Sequence, residues 1–258
     1  IKVKVIEISD HHDEESNWEI FDKLIQEINE QDEIYFDITH GYRSFPMLAL
    51  IVLNYVRLVQ TAKIGKIVYG QFEQLRPANL LKKMKIEDRK APILDFTDML
   101  SLLDWTNGVD AFLRTGDSSL IRELTESERK QFFMSSSVTK DMKKEAVILD
   151  SFARQLDVVS QSFETCRGQT VNKEIDKLKT IIQKVKRQKA EQIKPLVPLV
   201  GQVEQKLVGF GDNLTMDTFA IVDWCIKNHL VQQGYTFLQE NIVTLILRAN
   251  GLDEIERD

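Results

Sequence analysis

The apolar pattern of this chain changes period once, near residue 92, and that change limits the possible folds more than any other feature. Before it, short strand-like runs alternate with helical stretches; after it, the apolar spacing is helical. Residues 3–8 read as a strand whose apolar members are Val3, Val5 and Ile8. An acidic loop, 10–15, leads to Ser16 and Glu19, which have capping-box spacing. Trp18, Phe21, Ile25 and Ile28 then mark one helical face. Asn29-Glu30-Gln31-Asp32 breaks that helix, and 33–38 reads as a second strand. A helix over 47–60 is apolar almost all round, which predicts burial on more than one side. A third strand is expected over 66–72. The order β-α-β-α-β with short connections predicts parallel strands and right-handed crossovers. Three strands make a poor sheet alone, and the chain opens on Ile1 inside a strand pattern, so further sheet is expected upstream.

Beyond 80–90, a mixed basic stretch closed by Pro92, no strand is expected. Asp95 is placed to cap a helix carrying Phe96, Met99, Leu100, Leu103, Val109, Phe112 and Leu113, broken at Gly116-Asp117. Helices are expected over 118–133 and 147–163, with a loop or cap at 135–137 and a turn at 166–169. Val171, Ile175, Leu178, Ile182 and Val185 mark the apolar face of a long helix that Pro195 and Pro198 end or kink. A loop at Gly209-Phe210-Gly211-Asp212 precedes helices over 216–232 and 235–250, separated at Gly234. The fold class is therefore α/β over 1–91 followed by all-α over 92–258.

A formal net charge of −6 over 258 residues argues against a protein that coats nucleic acid by bulk charge. The long helices and acidic balance also disfavour a helix-turn-helix DNA reader. Cys166 and Cys225 match no metal or redox spacing, which fits a reduced, cytoplasmic chain. No apolar run approaches ~18–20 residues without a charge or strong polar group, so no membrane span is expected. Ile1-Lys2-Val3-Lys4-Val5 alternates like a strand and unlike a signal peptide.

The residues richest in chemistry are Asp37-Ile38-Thr39-His40-Gly41-Tyr42-Arg43-Ser44-Phe45-Pro46, where the second strand hands over to a helix. Open α/β sheets collect ligands at the carboxyl ends of strands, and helix N-termini favour anions. Gly41 can let a ligand approach the backbone. Arg43 can grip phosphate with two bonds. Thr39 and Ser44 offer hydroxyls, and Ser44 can also cap the helix that Phe45-Pro46 begins. Asp37 can receive backbone N–H groups and hold the loop, and His40 can donate to a phosphate or stack on a base. The residues alone leave a second reading open, a turn whose polar groups only satisfy the backbone.

Asp37-x-Thr39-His40-Gly41-x-Arg43-x-x-Pro46 on this junction resembles the second signature of CARF domains, the sensor domains of CRISPR-associated accessory proteins of type III systems. The Trp18-Glu19-Ile20-Phe21 helix, the Ile67-Val68-Tyr69-Gly70-Gln71-Phe72-Glu73 segment, Leu94-Asp95-Phe96-Thr97 and Leu103-Asp104-Trp105 also look like the Csx branch of that family. The similarity covers roughly the first half of the chain, and the rest more loosely. It implies a Rossmann-like domain that pairs as a homodimer and binds cyclic oligoadenylate, an allosteric activator rather than a cofactor, across the dimer axis. The matching positions are Thr39, His40, Gly41 and Arg43, with Ser44 nearby and Asp37 and Pro46 as support. Many relatives carry a C-terminal helical HEPN domain, a metal-independent ribonuclease for single-stranded RNA. There an Arg and a His of an R-x(4–6)-H motif from two subunits form the site.

Two features depart from the family pattern. Its first signature, a Gly/Ser-containing loop after the first strand, has no counterpart here. The R-x(4–6)-H motif is missing too: Lys227 and Asn228 precede His229 with no Arg within six residues, and no His follows Arg248. Catalytic residues are therefore unassigned. Two alternatives to an activated nuclease follow: a ring nuclease that degrades the cyclic ligand, with Thr39 or His40 beside the scissile phosphate, and a non-catalytic sensor or regulator.

Other candidates are weaker. His11-His12 in the acidic loop makes a poor metal site, so no metal is expected. Gly209-x-Gly211 follows no strand. The 173–194 segment has eight Lys/Arg against three acids and is read as a solvated helix face rather than an RNA surface. Tyr69, Gln71 and Phe72 end a strand on the rim that holds the loop and can meet adenine; Phe72 suits the core equally. Asn228 and His229 read as surface helix positions.

Overall fold

The computed structural model describes residues 3–8, 13–40, 44–72, 83–134, 140–188, 194–211 and 214–251. The chain divides into two units, Ile1–Ser101 and Leu102–Asp258.

In the first unit, helix α1 (Glu14–Gln26) begins one turn earlier than the capping-box spacing implied. Asp13 is the cap: its Oδ1 accepts from the Ser16 backbone N–H at 2.8 Å and from the Ser16 hydroxyl at 2.6 Å. A carboxylate outcompetes a hydroxyl here because it also complements the helix dipole. Strand β1 (Glu33–Asp37), helix α2 (Phe45–Val59) and strand β2 (Lys63–Gly70) follow. β1 and β2 pair in parallel, with one register slip between Ile34 and Tyr35. Gly65 is the extra residue on β2, and a Cβ there would lie 2.8 Å from the Tyr35 ring. Any larger residue there would push the exposed Tyr35 ring aside.

Two sequence expectations fail in this sheet. Residues 3–8 form no strand. Without a ladder partner among the described residues, the segment is held by side chains: Lys4 bonds Glu27, and Lys23 Nζ donates to the Glu7 carbonyl at 2.8 Å. The apolar alternation of Val3 and Val5 is spent on solvent, Val3 being 85% exposed. Conversely, a strand exists after residue 92. Strand β3 (Ile93–Asp95) pairs antiparallel with β2, giving the order β1-β2-β3. Three residues are too few to show alternation, so the pattern missed it.

The core of this unit is small. Val52, Val56 and Ala62 are buried against Phe21, Leu24, Ile25 and Ile28; Leu53, Ile67 and Leu100 are buried against Ile34, Phe36, Ile38 and Phe96. Helix α2 thus packs on one side only, contrary to the burial its composition implied. Met47, Leu50, Ile51, Leu58 and Val59 stay exposed, Leu58 by 83%.

Helix α3 (Thr97–Thr115) leads into the helical unit, whose further elements are α4 (Ser119–Met134), α5 (Lys140–Glu164), α6 (Gly168–Lys186), α7 (Val197–Lys206), α8 (Leu214–Lys227) and α9 (Val231–Ala249). The face read from Val171, Ile175, Leu178, Ile182 and Val185 is wholly buried on α6. It shares a core with Leu156, Val159 and Phe163 of α5. Pro198 does not kink that helix; it sits in the first turn of α7, where its missing N–H costs nothing. Likewise Gly234 is not the break between the last helices. The chain turns at Asn228–Leu230, where His229 has φ 60°. Gly234 lies inside α9, where a Cβ would come within 3.2 Å of Cys225 Cβ, so its role is close helix contact.

An aromatic cluster centres the unit: Phe163 stacks on Trp224 with centroids 4.7 Å apart, and Phe210, Phe237 and Phe112 pack around them. Lys206 closes it. Its Nζ donates to Leu113 O and Asn228 Oδ1, both at 2.6 Å, and lies 4.7 Å from the Trp224 ring centroid. Burial, and secondarily the Lys227 charge, lowers its pKa to about 8. Asp150, a buried carboxylate between α4 and α5, is held by Arg122 at 3.0 Å and Arg154 at 2.9 Å.

Truncating Phe163 to Ala should destabilise the helical unit by about 3–5 kcal/mol, measured by urea unfolding. Lys206 gives a second prediction. Its folded pKa is depressed, so between pH 8 and the ordinary 10.5 the unfolded chain binds more protons and stability rises with pH. The wild type should gain stability from pH 7 to 9 relative to Lys206→Met; parallel profiles would contradict this.

Candidate functional site

The carboxyl ends of the parallel strands β1 and β2 lie side by side, and the loop after β1 is pinned there by one carboxylate and one hydroxyl. Asp37, the last residue of β1, accepts the Thr39 backbone N–H at 2.8 Å and the Thr39 hydroxyl at 2.5 Å on the same oxygen. This closes a tight Asx turn. The Thr39 hydroxyl then accepts the Gly70 N–H at 2.7 Å, while Ile38 N–H donates to Val68 O at 2.9 Å. Thr39 Oγ1 therefore stands where a carbonyl of a longer β1 would bond β2. Gly70 permits the approach: a Cβ would sit 3.1 Å from Thr39 Oγ1. The Thr39 hydroxyl and N–H hold the Asp37 carboxyl below its ordinary value of 3.8, and the charge of His40 adds to this.

The other candidate positions divide. His40 is exposed beside this clip, and Ser44 is exposed at the start of α2. Ser44 occupies the cap position without a side-chain bond to the helix. At φ −78° and ψ −22° its backbone is already helical, which turns the hydroxyl away from the amides it would cap. Pro46 sits in the first turn of α2, and Phe45 stacks on Phe36 of β1 at 6.2 Å, holding the helix start against the strand. Gly41 and Arg43 lie outside the described residues, as do His11 and His12. On the rim, β2 ends at Gly70, Gln71 N–H donates to Pro92 O at 2.8 Å, and the Tyr69 ring meets Phe96 edge-on. Phe72 is not in the core; it is 55% exposed.

A second clip of the same kind escaped the sequence reading. Asp95, the last residue of β3, accepts the Thr97 backbone N–H at 3.0 Å and the Thr97 hydroxyl, and Thr97 Oγ1 accepts the Ile67 N–H at 3.1 Å. Phe96 N–H donates to Ile67 O at 2.8 Å. The Asp95 carboxyl is likewise held low, first by the Thr97 hydroxyl and N–H and then by Lys66, 3.2 Å away. The signal was present as a repeat of Asp-x-Thr at 37–39 and 95–97.

Elsewhere, Asn228 is buried between Lys206 and the Trp224 carbonyl, while His229 is exposed. In the basic segment Lys177 pairs with Glu174, Lys186 with Glu204, and Lys179 donates to Phe210 O. Among the described residues no group of His, Cys, Asp or Glu is arranged to hold a metal, and no helix is long and apolar enough to cross a membrane.

Two family models match separate parts of the chain. Residues 11–74 match the family described as the CARF domain of the CRISPR system endoribonuclease Csx1. Residues 101–209 match the family described as the second domain of CRISPR-associated protein MJ1674. The whole chain aligns with CRISPR-associated protein MJ1674 of Methanocaldococcus jannaschii at 26% identity, covering 100% of this chain and 36% of that protein. The chain thus spans little more than a third of this relative's length.

Both clips should be pH-sensitive with the sign of a depressed carboxylate. Their contribution is complete above the ordinary value of 3.8 and is lost as pH falls through the lower folded values. Hydrogen exchange at Gly70 should therefore lose protection, beyond the intrinsic pH effect, below about pH 4. In Asp37→Ala that protection should already be low at pH 6; equal protection in the two proteins would refute the clip.

Proposed function

We propose that this chain, which belongs to the CRISPR-associated CARF-domain proteins, binds cyclic oligoadenylate at the 37–46 loop and relays its occupancy to the helical unit. The observation that carries the proposal is the Asp37–Thr39–Gly70 clip, which fixes the entry to the loop at the carboxyl ends of two parallel strands beside the start of α2. Ligands of α/β sheets gather at that location. A cyclic oligoadenylate carries one negative charge per phosphodiester, and a chain of net charge −6 needs a local source of positive potential to hold it. Arg43 supplies a guanidinium, and the N-terminus of α2 adds a dipole. Gly41 allows close backbone approach. His40 and the Ser44 hydroxyl, which no helix cap consumes, are available to phosphate or base. Thr39 contributes mainly by holding the loop, since its hydroxyl is engaged on both sides.

In this reading the first unit, whose sheet takes in β3 beyond the boundary expected at residue 91, is the sensor, and the second unit, Leu102–Asp258, is the effector, a HEPN-like ribonuclease for single-stranded RNA in antiviral defence that works as a homodimer. Activation requires the ligand to bind the active arrangement more tightly than the resting one. The machinery for cutting RNA is not assigned to residues of this chain, which lacks the Arg…His pair.

Calorimetric titration with cyclic tetra- and hexa-adenylate tests the sensor. Arg43→Ala should weaken binding by at least ~1.5 kcal/mol, about tenfold, the scale of one charge-assisted contact. Unchanged affinity removes the loop as the site. Linear products from the cyclic ligand alone would instead favour self-degradation over pure sensing.

A further inference from the structure

We infer that Asp95 and Thr97 are positioning residues for the ligand loop, acting on it through strand β2. The two clips grip opposite edges of one strand. Ile67 gives its N–H to Thr97 Oγ1 and its carbonyl to Phe96 N–H on the β3 side. Val68 gives its carbonyl to Ile38, and Gly70 its N–H to Thr39 Oγ1, on the β1 side. A strand can slide or rotate about its axis only by breaking the bonds on both edges together. Between Ile67 and Gly70 lies roughly 10 Å of extended backbone with no residue that a helix or turn could bend. The ladder with β3 continues through Tyr69 and Gly70 to the Gln71–Pro92 bond, so the position of Gly70 N–H, on which the loop hangs, is set by β3 as a whole, with the Thr97 clip at Ile67 as the end of that hold.

Side-chain chemistry makes the far clip the firmer of the two. Ile67 is buried, so its N–H has no water to turn to if Thr97 is lost. The Thr97 hydroxyl and amide favour the charged, accepting form of Asp95, and Lys66 at 3.2 Å adds to this. The amide that Asp95 Oδ1 receives is that of Thr97, the first of α3, and the same oxygen accepts the Thr97 hydroxyl that holds Ile67, so the start of that helix and the edge of β2 are tied through one carboxylate oxygen. Displacing Gly70 when a ligand enters the loop would load Thr97 and the first turn of α3 along the same path.

Hydrogen exchange of the full chain without ligand, comparing Thr97→Val with Thr97→Ser, tests the positioning. Thr97→Val should speed exchange at Ile67 and also at Gly70 and Thr39, by roughly fivefold, the equivalent of one lost neutral hydrogen bond. The amides of α1 and α2 should be unaffected. Thr97→Ser, which keeps the hydroxyl, should restore the wild-type rates. Faster exchange confined to Ile67, or equally fast across the whole first unit, would overturn the inference. If Thr97→Val does not fold, Asp95→Asn supplies the same comparison with the clip weakened rather than cut.

A second arm rests on the reading of the loop as a ligand site: affinity for cyclic tetra-adenylate should fall by about the same factor in Thr97→Val and recover in Thr97→Ser. A wild type that binds no cyclic oligoadenylate removes that reading and leaves the exchange result to decide the positioning. A wild type that binds, with Thr97→Val binding equally well, overturns the positioning while the sensor stands.

Discussion

A threonine hydroxyl that donates to a carboxylate and accepts from a strand amide is the interaction on which the sensor half depends. It occurs twice, at Thr39 and Thr97, each time two residues after the aspartate that ends a strand. The sheet is only three strands wide, and β3 has three residues, so backbone ladders alone would hold it weakly. Each clip extends the ladder past the point where the chain leaves the sheet. It also satisfies a β2 amide that would otherwise lack a partner. The Thr39 hydroxyl oxygen that closes the turn on Asp37 thus also joins the loop to the sheet.

The helical half is held by different means. Its core is long and fully buried, and its aromatic centre is closed by a lysine rather than by another apolar residue. Lys206 lies over the Trp224 ring and donates to the carbonyl of Leu113 near the end of α3 and to Asn228 at the turn after α8. A cation near a helix C-terminus is favoured by the dipole, and the aromatic face repays part of its desolvation. The lowered pKa of Lys206 records the remainder of that penalty.

Much of the site was legible because its logic is local. A strand, a polar loop with Gly and Arg, and a proline at a helix start occupy consecutive residues, and the Asx turn at Asp37 spans only three of them. What could not be read depends on distant partners. Thr39 looks like a ligand contact in sequence and is engaged by Gly70; Ser44 looks like a cap, but its helical backbone turns the hydroxyl away. Asp95 was legible as a helix cap, whereas the hold of Thr97 on Ile67 was not, because nothing near residue 97 names the amide it will meet.

The sequence by itself determined where the helical faces lie, that a strand–loop–helix junction sits at residues 37–46, and that the later part of the chain is built of helices, because side-chain periodicity and turn chemistry act over a few neighbouring residues. Tertiary structure decided the rest. It paired β3 antiparallel to β2, left 3–8 outside the sheet, and buried one face of α2 while leaving another apolar face exposed. Each of these outcomes is settled by which surfaces compete for a partner far along the chain, and that competition has no local signature.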